Sequence, residues 1–572
     1  MKITSIFLST ALALAFTSCS DVLDKGPKDK YSETEVWGSS ELSQHFLYTT
    51  LSKSCDKLIW DDEWSDNDVI QEDGTNTNVN KEAIDQSYNA GWNVYEDIRR
   101  CNLAIQKIGE SSFLDSEKSY QIAQAKMMRA MIYFSRARLF GKLMLVDRVI
   151  DPNENMQLSR TATIKETYDF ILKDLKEAAE DLPVSLLNQQ GLLTKGAAYA
   201  LIAEVALQGA AYIESGQNDY YNCAKDYSEK LFALNAYELD PNYKDMFNDF
   251  DHSLSSKEII LAKWRHETNT TFNDTWMQRL GLNTNNDKNI PEASPKLVDD
   301  LLAWPTRFPS VDLVNTYQVV DEDGQAKDWD KTTYYKDFVL NGGYVSNAIY
   351  KNRDQRFYAS IAYDSTAYFN SVITTRDKGN VHWNSNIYGD WGMTKTGYVW
   401  RKCVYEKTRI FFSDPTNYHY VILRLGRSYL NYAEALLRLN QPQTAIEYIN
   451  KTRTVHGGLP ALPTTLSLEE AWKEYKRERR VDLVMEGDRY WSLLRWGKAN
   501  GQDIVPELNI THQAISIAAD GKSFEHIGLP YKASDNIRVF TKKTLPDAGT
   551  AGPDRPKPET GPEPGMVRIS ST

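Results

Sequence analysis

Three short segments of this chain mix tryptophan with carboxylates and amides outside any regular period. They are WDDEWSDND (Trp60 to Asp68), ETNTTFNDTW (ending at Trp276) and HWNSNIYGDW (His382 to Trp391), the last followed by Tyr398 and Trp400. A flat indole stacks on apolar C–H faces, while Asn, Asp and Arg hydrogen-bond hydroxyls, so this mixture suits a saccharide. The candidate contacts are Trp64, Asp66, Asn67, Trp276, Trp383, Asn384 and Trp391, with Arg353 as a polar clamp. Against each indole stands a plain alternative, that it pins a long loop by local packing. The clusters together carry the saccharide reading, and no single member does.

Other chemistry is thinner. Asp61, Asp62, Asp66 and Asp68 form either a solvated acidic run or a structural calcium site built from oxygens; no other cofactor or metal is expected. Cys55, Cys101, Cys223 and Cys403 form no CxxC pair, and their spacing matches no zinc or haem motif. A disulfide among them stays open. The block ERRVDLVMEGDRYW places Glu478, Arg479, Asp482, Glu486, Asp488 and Arg489 at spacings of three and four, which suits ion pairing along a helix. Two carboxylates also serve glycoside hydrolysis, but beside arginines on one helix they are expected to stay ionised and structural. With no GxSxG, HExxH or P-loop in a fitting context, and only 8 histidines, catalysis is not expected and no catalytic residue is assigned.

These loops need a scaffold, and the flanking sequence supplies one. At 572 residues the chain exceeds one compact core, and 41% hydrophobic with 12% aromatic residues supports a large folded protein. A net charge of -12 disfavours nucleic acid or an anionic membrane surface as the main partner. From Ser40 to about Leu234 the apolar spacing is helical, with Met127, Ala130, Phe134 and Ala137 on one stripe and Tyr168, Ile171, Leu175 and Ala178 on another. From about Pro241 to Pro415 no helical stripe persists beyond Ser294 to Leu302. This span reads as a loop-rich lobe with short strands, Phe357 to Tyr363 among them. Helices return at Leu423 to Arg453, where Leu430, Ala433, Leu436 and Leu437 face Ala445, Ile446 and Ile449 across a Gln441-Pro442 turn, the pattern of a tetratricopeptide-type hairpin.

The N-terminus carries an address. Lys2, an apolar run from Ile3 to Phe16 and then Thr17-Ser18-Cys19 have the form of a secretory signal, too short to span a bilayer as a stable helix. Cys19 stands where a bacterial lipoprotein carries its lipidated cysteine, and several acyl chains give stable anchoring.

The order NYAEAL, AIEYIN, GGLP and ERRVDLVMEGDRYWSLLRWG (Glu478 to Gly497) resembles the SusD/RagB family of outer-membrane nutrient-binding lipoproteins. GWNVYEDIRRCNLAI near Trp92, KMMRAMIYFSRARLFG near Arg129 and NRDQRF (Asn352 to Phe357) agree in the same order. The resemblance implies a mainly α fold of tetratricopeptide-like hairpins with a large irregular ligand-binding lobe. It also implies a cell-surface, lipid-anchored protein that captures an oligosaccharide and serves as lid to a TonB-dependent (SusC-like) transporter. A peptide-capturing RagB-like importer component, a surface glycosidase and a pure assembly scaffold are the rivals. The expected organisation is a signal at 1–18, an N-terminal helical region at 19–240, the lobe at 241–415, a C-terminal hairpin with the signature helix at 416–500, a packing segment at 501–545 and a disordered Pro/Gly-rich tail at 546–572. Read in an adjacent frame, that tail can encode a segment ending in Asn-Pro-Gly-Trp, the usual ending of the family. Met566-Val567 forces the tryptophan codon, so the tail is expected to arise by a one-base frameshift, which resequencing the 3′ end would check.

Overall fold

The computed structural model describes residues 31–70, 93–151, 153–154, 158–184, 191–283, 301–381, 394–406, 411–502, 505–532 and 566–567. Cys19 with the expected signal, Trp92, Trp383, Asn384 and Trp391 lie outside the described residues. So does the tail, except that Met566–Val567 pairs antiparallel with Tyr31–Ser32.

Helices α1 (Ser40–Asp56), α2 (Tyr95–Glu110), α3 (Asp115–Phe140), α4 (Ile164–Asp181), α5 (Lys195–Ala210) and α6 (Gln217–Ala233) each pack against the next. Their starts are written in the sequence. The side chains of Ser39, Thr163 and Thr194 accept the N–H groups of Leu42, Glu166 and Ala197, which would otherwise lack partners at the first turns. The alanine-rich α5 is buried on nearly every face because α4 and α6 flank it. At Gly209 an added methyl would lie 2.8 Å from the rings of both Tyr168 and Tyr220, so the close approach requires glycine there.

The lobe is built from short pieces. Strand β1 (Asp68–Ile70), from the loop after α1, pairs antiparallel with β3 (Arg307–Pro309), and β2 (Ile259–Arg265) pairs with β4 (Tyr418–Arg424). The lobe holds more helix than its sequence suggests: α7 (Met277–Leu280) and turns at Val311–Thr316, Thr333–Asn341, Val345–Ile349 and Gln355–Ser360. The strand expected at Phe357 to Tyr363 shrinks to Ile361–Ala362, because Asp354 caps a helical turn by accepting the Arg356 N–H at 2.9 Å. Tyr398 and Trp400 are buried in the lobe core beside Tyr317, Phe357, Tyr368 and Tyr418, so they serve packing.

Helices α8 (Leu425–Arg438) and α9 (Pro442–Val455) form the expected hairpin. Ala433 and Ala445 are both buried, and Pro442 stands at the first helical position, where a missing N–H costs nothing. Helix α8 also packs on α5 and α6, and α10 (Leu468–Asp482) packs on α8 and α9, so the helices form one stack; α11 (Arg489–Ala499) follows. The fold is mainly α, with tetratricopeptide-like hairpins.

The signature block behaves differently from its spacing. Its charges pair across elements, because the helix stops at Asp482 and the chain turns through Met485 and Gly487, both at positive φ. Asp482 accepts from Arg424 (2.6 Å), Arg356 (3.0 Å) and His456 (2.8 Å). Glu486 pairs with Lys402 (2.8 Å) and Arg424 (2.9 Å), Glu478 with Arg356, and Arg479 with Asp488 (2.6 Å). Glu258 of the β2 approach completes the set by pairing with Arg424 (2.8 Å) and His456 (2.9 Å). These buried charges tie lobe to scaffold.

Candidate ligand site

After α1 ends at Asp56, residues 59–64 fold back onto the start of α11. There four rings interlock edge to face. Trp60 meets Trp64 at 4.7 Å and Trp491 at 5.4 Å between ring centres, Trp64 meets Tyr490 at 5.5 Å, and Tyr490 meets Trp491 at 5.1 Å. Such crossed contacts suit the aromatic quadrupole. Behind them Arg138 of α3 lies over Trp491 at 4.8 Å and Trp60 at 5.9 Å, a cation–π arrangement, and burial brings its guanidinium down to about 10.

The cluster and α7 enclose an open cavity of about 190 Å³, lined by Trp60, Trp64, Tyr490 and Trp491 on one side and by Trp276 and Arg279 on the other. Asp61 and Glu63 supply its acidic wall. Asp61 lies 3.2 Å from Arg279 and 3.2 Å from Arg307, while Glu63 accepts from Arg307 at 2.8 Å. Burial works against the Asp61 carboxylate, yet Arg307 and Arg279 hold it below the usual range. The wall therefore consists of compensated ion pairs that still present oxygens and N–H groups.

The aspartates of this loop do not gather round a cation. Asp66 pairs with Arg489 (2.8 Å) and Arg480 (2.9 Å), and Asp68 pairs with Arg307. Asp62 accepts from Asn67 Nδ2 (2.9 Å) and the Met485 N–H (2.8 Å). Burial pushes Asp62 up to about 6 against those two hydrogen bonds, and Asp68 up to about 7 against the pull of Arg307. Among the described residues no group of three or more His, Cys, Asp or Glu could hold a metal ion.

Of the residues singled out by sequence, Trp64 and Trp276 meet at this cavity from segments far apart in the chain. Asp66, Asn67 and Arg353 do not reach it. Asp66 is spent on two arginines, and Asn67 is fully buried between Asp62 and Arg480. Arg353 is buried and donates to the carbonyls of Ile349 (2.7 Å), Val314 (2.7 Å) and Tyr317 (3.0 Å), so it braces the lobe. The cavity also uses Trp60, Arg279, Tyr490 and Trp491. Trp60 stands four residues before Trp64, and the Tyr490-Trp491 pair was the available signal within a block whose charges read as scaffold.

Chemically, the cavity offers ring faces at several angles, an acidic wall and one half-exposed guanidinium. Its volume falls below the roughly 300–1,000 Å³ of sites for drug-sized ligands, which leaves room for about one six-membered ring with its hydroxyls.

Comparison with known proteins agrees with this fold. Residues 257–544 match the model of the SusD family, and residues 37–207 match a model described as starch-binding, associating with outer membrane. The SusD-like protein P38 of Formosa agariphila is 24% identical over 519 residues, covering 84% of this chain and 89% of the relative. A SusD-like protein of Bacteroides fragilis superposes with a TM-score of 0.70 at 24% identity, covering 91% of this chain and 96% of the other. A SusD-like carbohydrate binding protein of the same organism superposes at 0.67 with 21% identity, covering 88% and 96%.

Proposed function

Because the chain belongs to the SusD family, we propose that it is a surface glycan-binding lipoprotein that captures an oligosaccharide and delivers it to a TonB-dependent outer-membrane transporter. The transporter would be SusC-like, with this protein as its lid. Lipid on Cys19 would hold the protein at the cell surface. No helix among the described residues is long and apolar enough to cross a membrane, which suits a lipid anchor as the means of attachment.

The observation that carries the ligand class is the convergence of Trp64 and Trp276 on one aromatic cavity whose wall is polar and charge-compensated. A saccharide matches both halves of that lining. A peptide relative would favour a strongly charged or wholly apolar groove. Hydrolysis needs one protonated and one ionised carboxyl across a bond, whereas Asp61 and Glu63 share Arg307 on one wall, so binding without catalysis is the reading. An array of plant, algal and host glycans probed with protein lacking residues 1–19 tests this: saturable binding to a glycan supports it, and binding to peptides alone or to neither defeats it.

A further inference from the structure

We propose that the Asp61–Arg279 ion pair makes the cavity selective for uncharged sugars, so that uronic acids, sulfated sugars and amino sugars are turned away. This rests on the saccharide reading of the cavity given above.

The charged side chains that line the cavity are Asp61, Glu63 and Arg279. Arg279 is the cation a ligand meets: 41% of its side chain is open, against 4% for Arg307, which pairs with the same wall. One helical turn sets its place. Arg279 follows Trp276 by three residues, and its N–H donates to the Trp276 carbonyl (2.8 Å), so indole and guanidinium stand one turn apart and both reach the cavity. Asp61 is fixed as firmly. Its Oδ2 lies 3.2 Å from both Arg279 Nη2 and Arg307 Nη1, and its Oδ1 accepts the Glu63 N–H at 3.0 Å.

The two carboxylates of the wall are thus matched by two guanidinium groups. Asp68, the third partner of Arg307, has no exposed side-chain surface, and burial draws it toward its neutral acid. A hydroxyl both donates and accepts, so it can take an Asp61 oxygen and an Arg279 N–H together while the pair stays closed. A ligand carboxylate or sulfate drawn to Arg279 would sit against Asp61 and Glu63. An ammonium drawn to those oxygens would sit against Arg279. Either would also give up hydration where the opposite charges are already matched, which is unfavourable for an ion and mild for a hydroxyl.

An array of neutral, uronate, sulfated and amino-sugar hexasaccharides, followed by calorimetry on each one that binds, tests this. Wild-type protein should bind a neutral oligomer about tenfold or more tightly than any charged one, with an affinity that holds between about 0.05 M and 0.5 M salt. Glu63→Gln leaves a positive surplus and should admit uronates. Arg279→Gln leaves a negative surplus and should admit glucosamine oligomers. Tighter binding of a charged oligomer by wild type, or an unchanged ranking in both variants, overturns the charge selection and leaves the saccharide reading intact. No binding of any array member by wild type counts against the saccharide reading, and this inference falls with it.

Discussion

Gly487 has no side chain where Trp60 passes: a methyl group on Gly487 would sit 2.4 Å from the Trp60 Cβ and 2.6 Å from its carbonyl oxygen. Gly487 also directly follows Glu486, which pairs with Lys402 and Arg424, so the buried ion network and the aromatic cavity meet at one backbone position.

Gly487→Ala should therefore shift Trp60 and weaken ligand binding more than tenfold. It should also lose about 1–2 kcal/mol of stability to the left-handed backbone, before any clash. Gly324→Ala is the control, since Gly324 has positive φ with open space around it. It should show the backbone cost in urea unfolding and no change in binding.

Arg424 touches Glu258, Asp482 and Glu486 with no exposed surface on any partner beyond 2%. Arg424→Leu leaves three buried carboxylates short of a cation and should cost roughly 3–5 kcal/mol in denaturant unfolding. Lys173→Ala, which breaks the exposed pair with Glu177, should change stability by less than about 0.5 kcal/mol.

His456 gives the network a pH signature. Burial alone would lower its pKa, but Glu258 and Asp482 raise it to about 9. A raised folded value means the stabilisation is fully present below the ordinary histidine pKa, about 6.5, and is lost as pH rises through 9; the full swing is on the order of 3 kcal/mol. Glu258 works in the other direction: against burial, His456 and Arg424 hold it down to about 2, so its contribution is lost only as pH falls toward 2. His456→Gln should flatten the alkaline limb between pH 6.5 and 9 in thermal unfolding and leave the acid limb in place.

The scaffold was legible because helix packing is local and periodic. Ala433 and Ala445 lie close in sequence, and their small size marks the contact of α8 with α9. The cavity was only half legible. Trp64 and Trp276 stood out by composition, but their meeting depends on β1 pairing with β3, which brings Arg307 to Asp61 from far along the chain. Arg353 and Asp66 have the side chains of ligand-binding residues, and sequence does not show that buried carbonyls engage the one and two arginines the other. The signature charges misled in the same way. Spacings of three and four promise pairing along a helix only while the helix continues, and this one ends at Asp482.

If Trp64 and Trp276 together form a saccharide site, calorimetry on the Trp64→Ala/Trp276→Ala double variant is the decisive measurement. Each indole should contribute about 2 kcal/mol, roughly thirtyfold in affinity, as buried aromatic anchors do. The wild type should bind an oligosaccharide with measurable affinity, and the double variant should show no detectable heat while its melting temperature stays within a few degrees. A double variant that binds the same oligosaccharide as tightly as the wild type would contradict it.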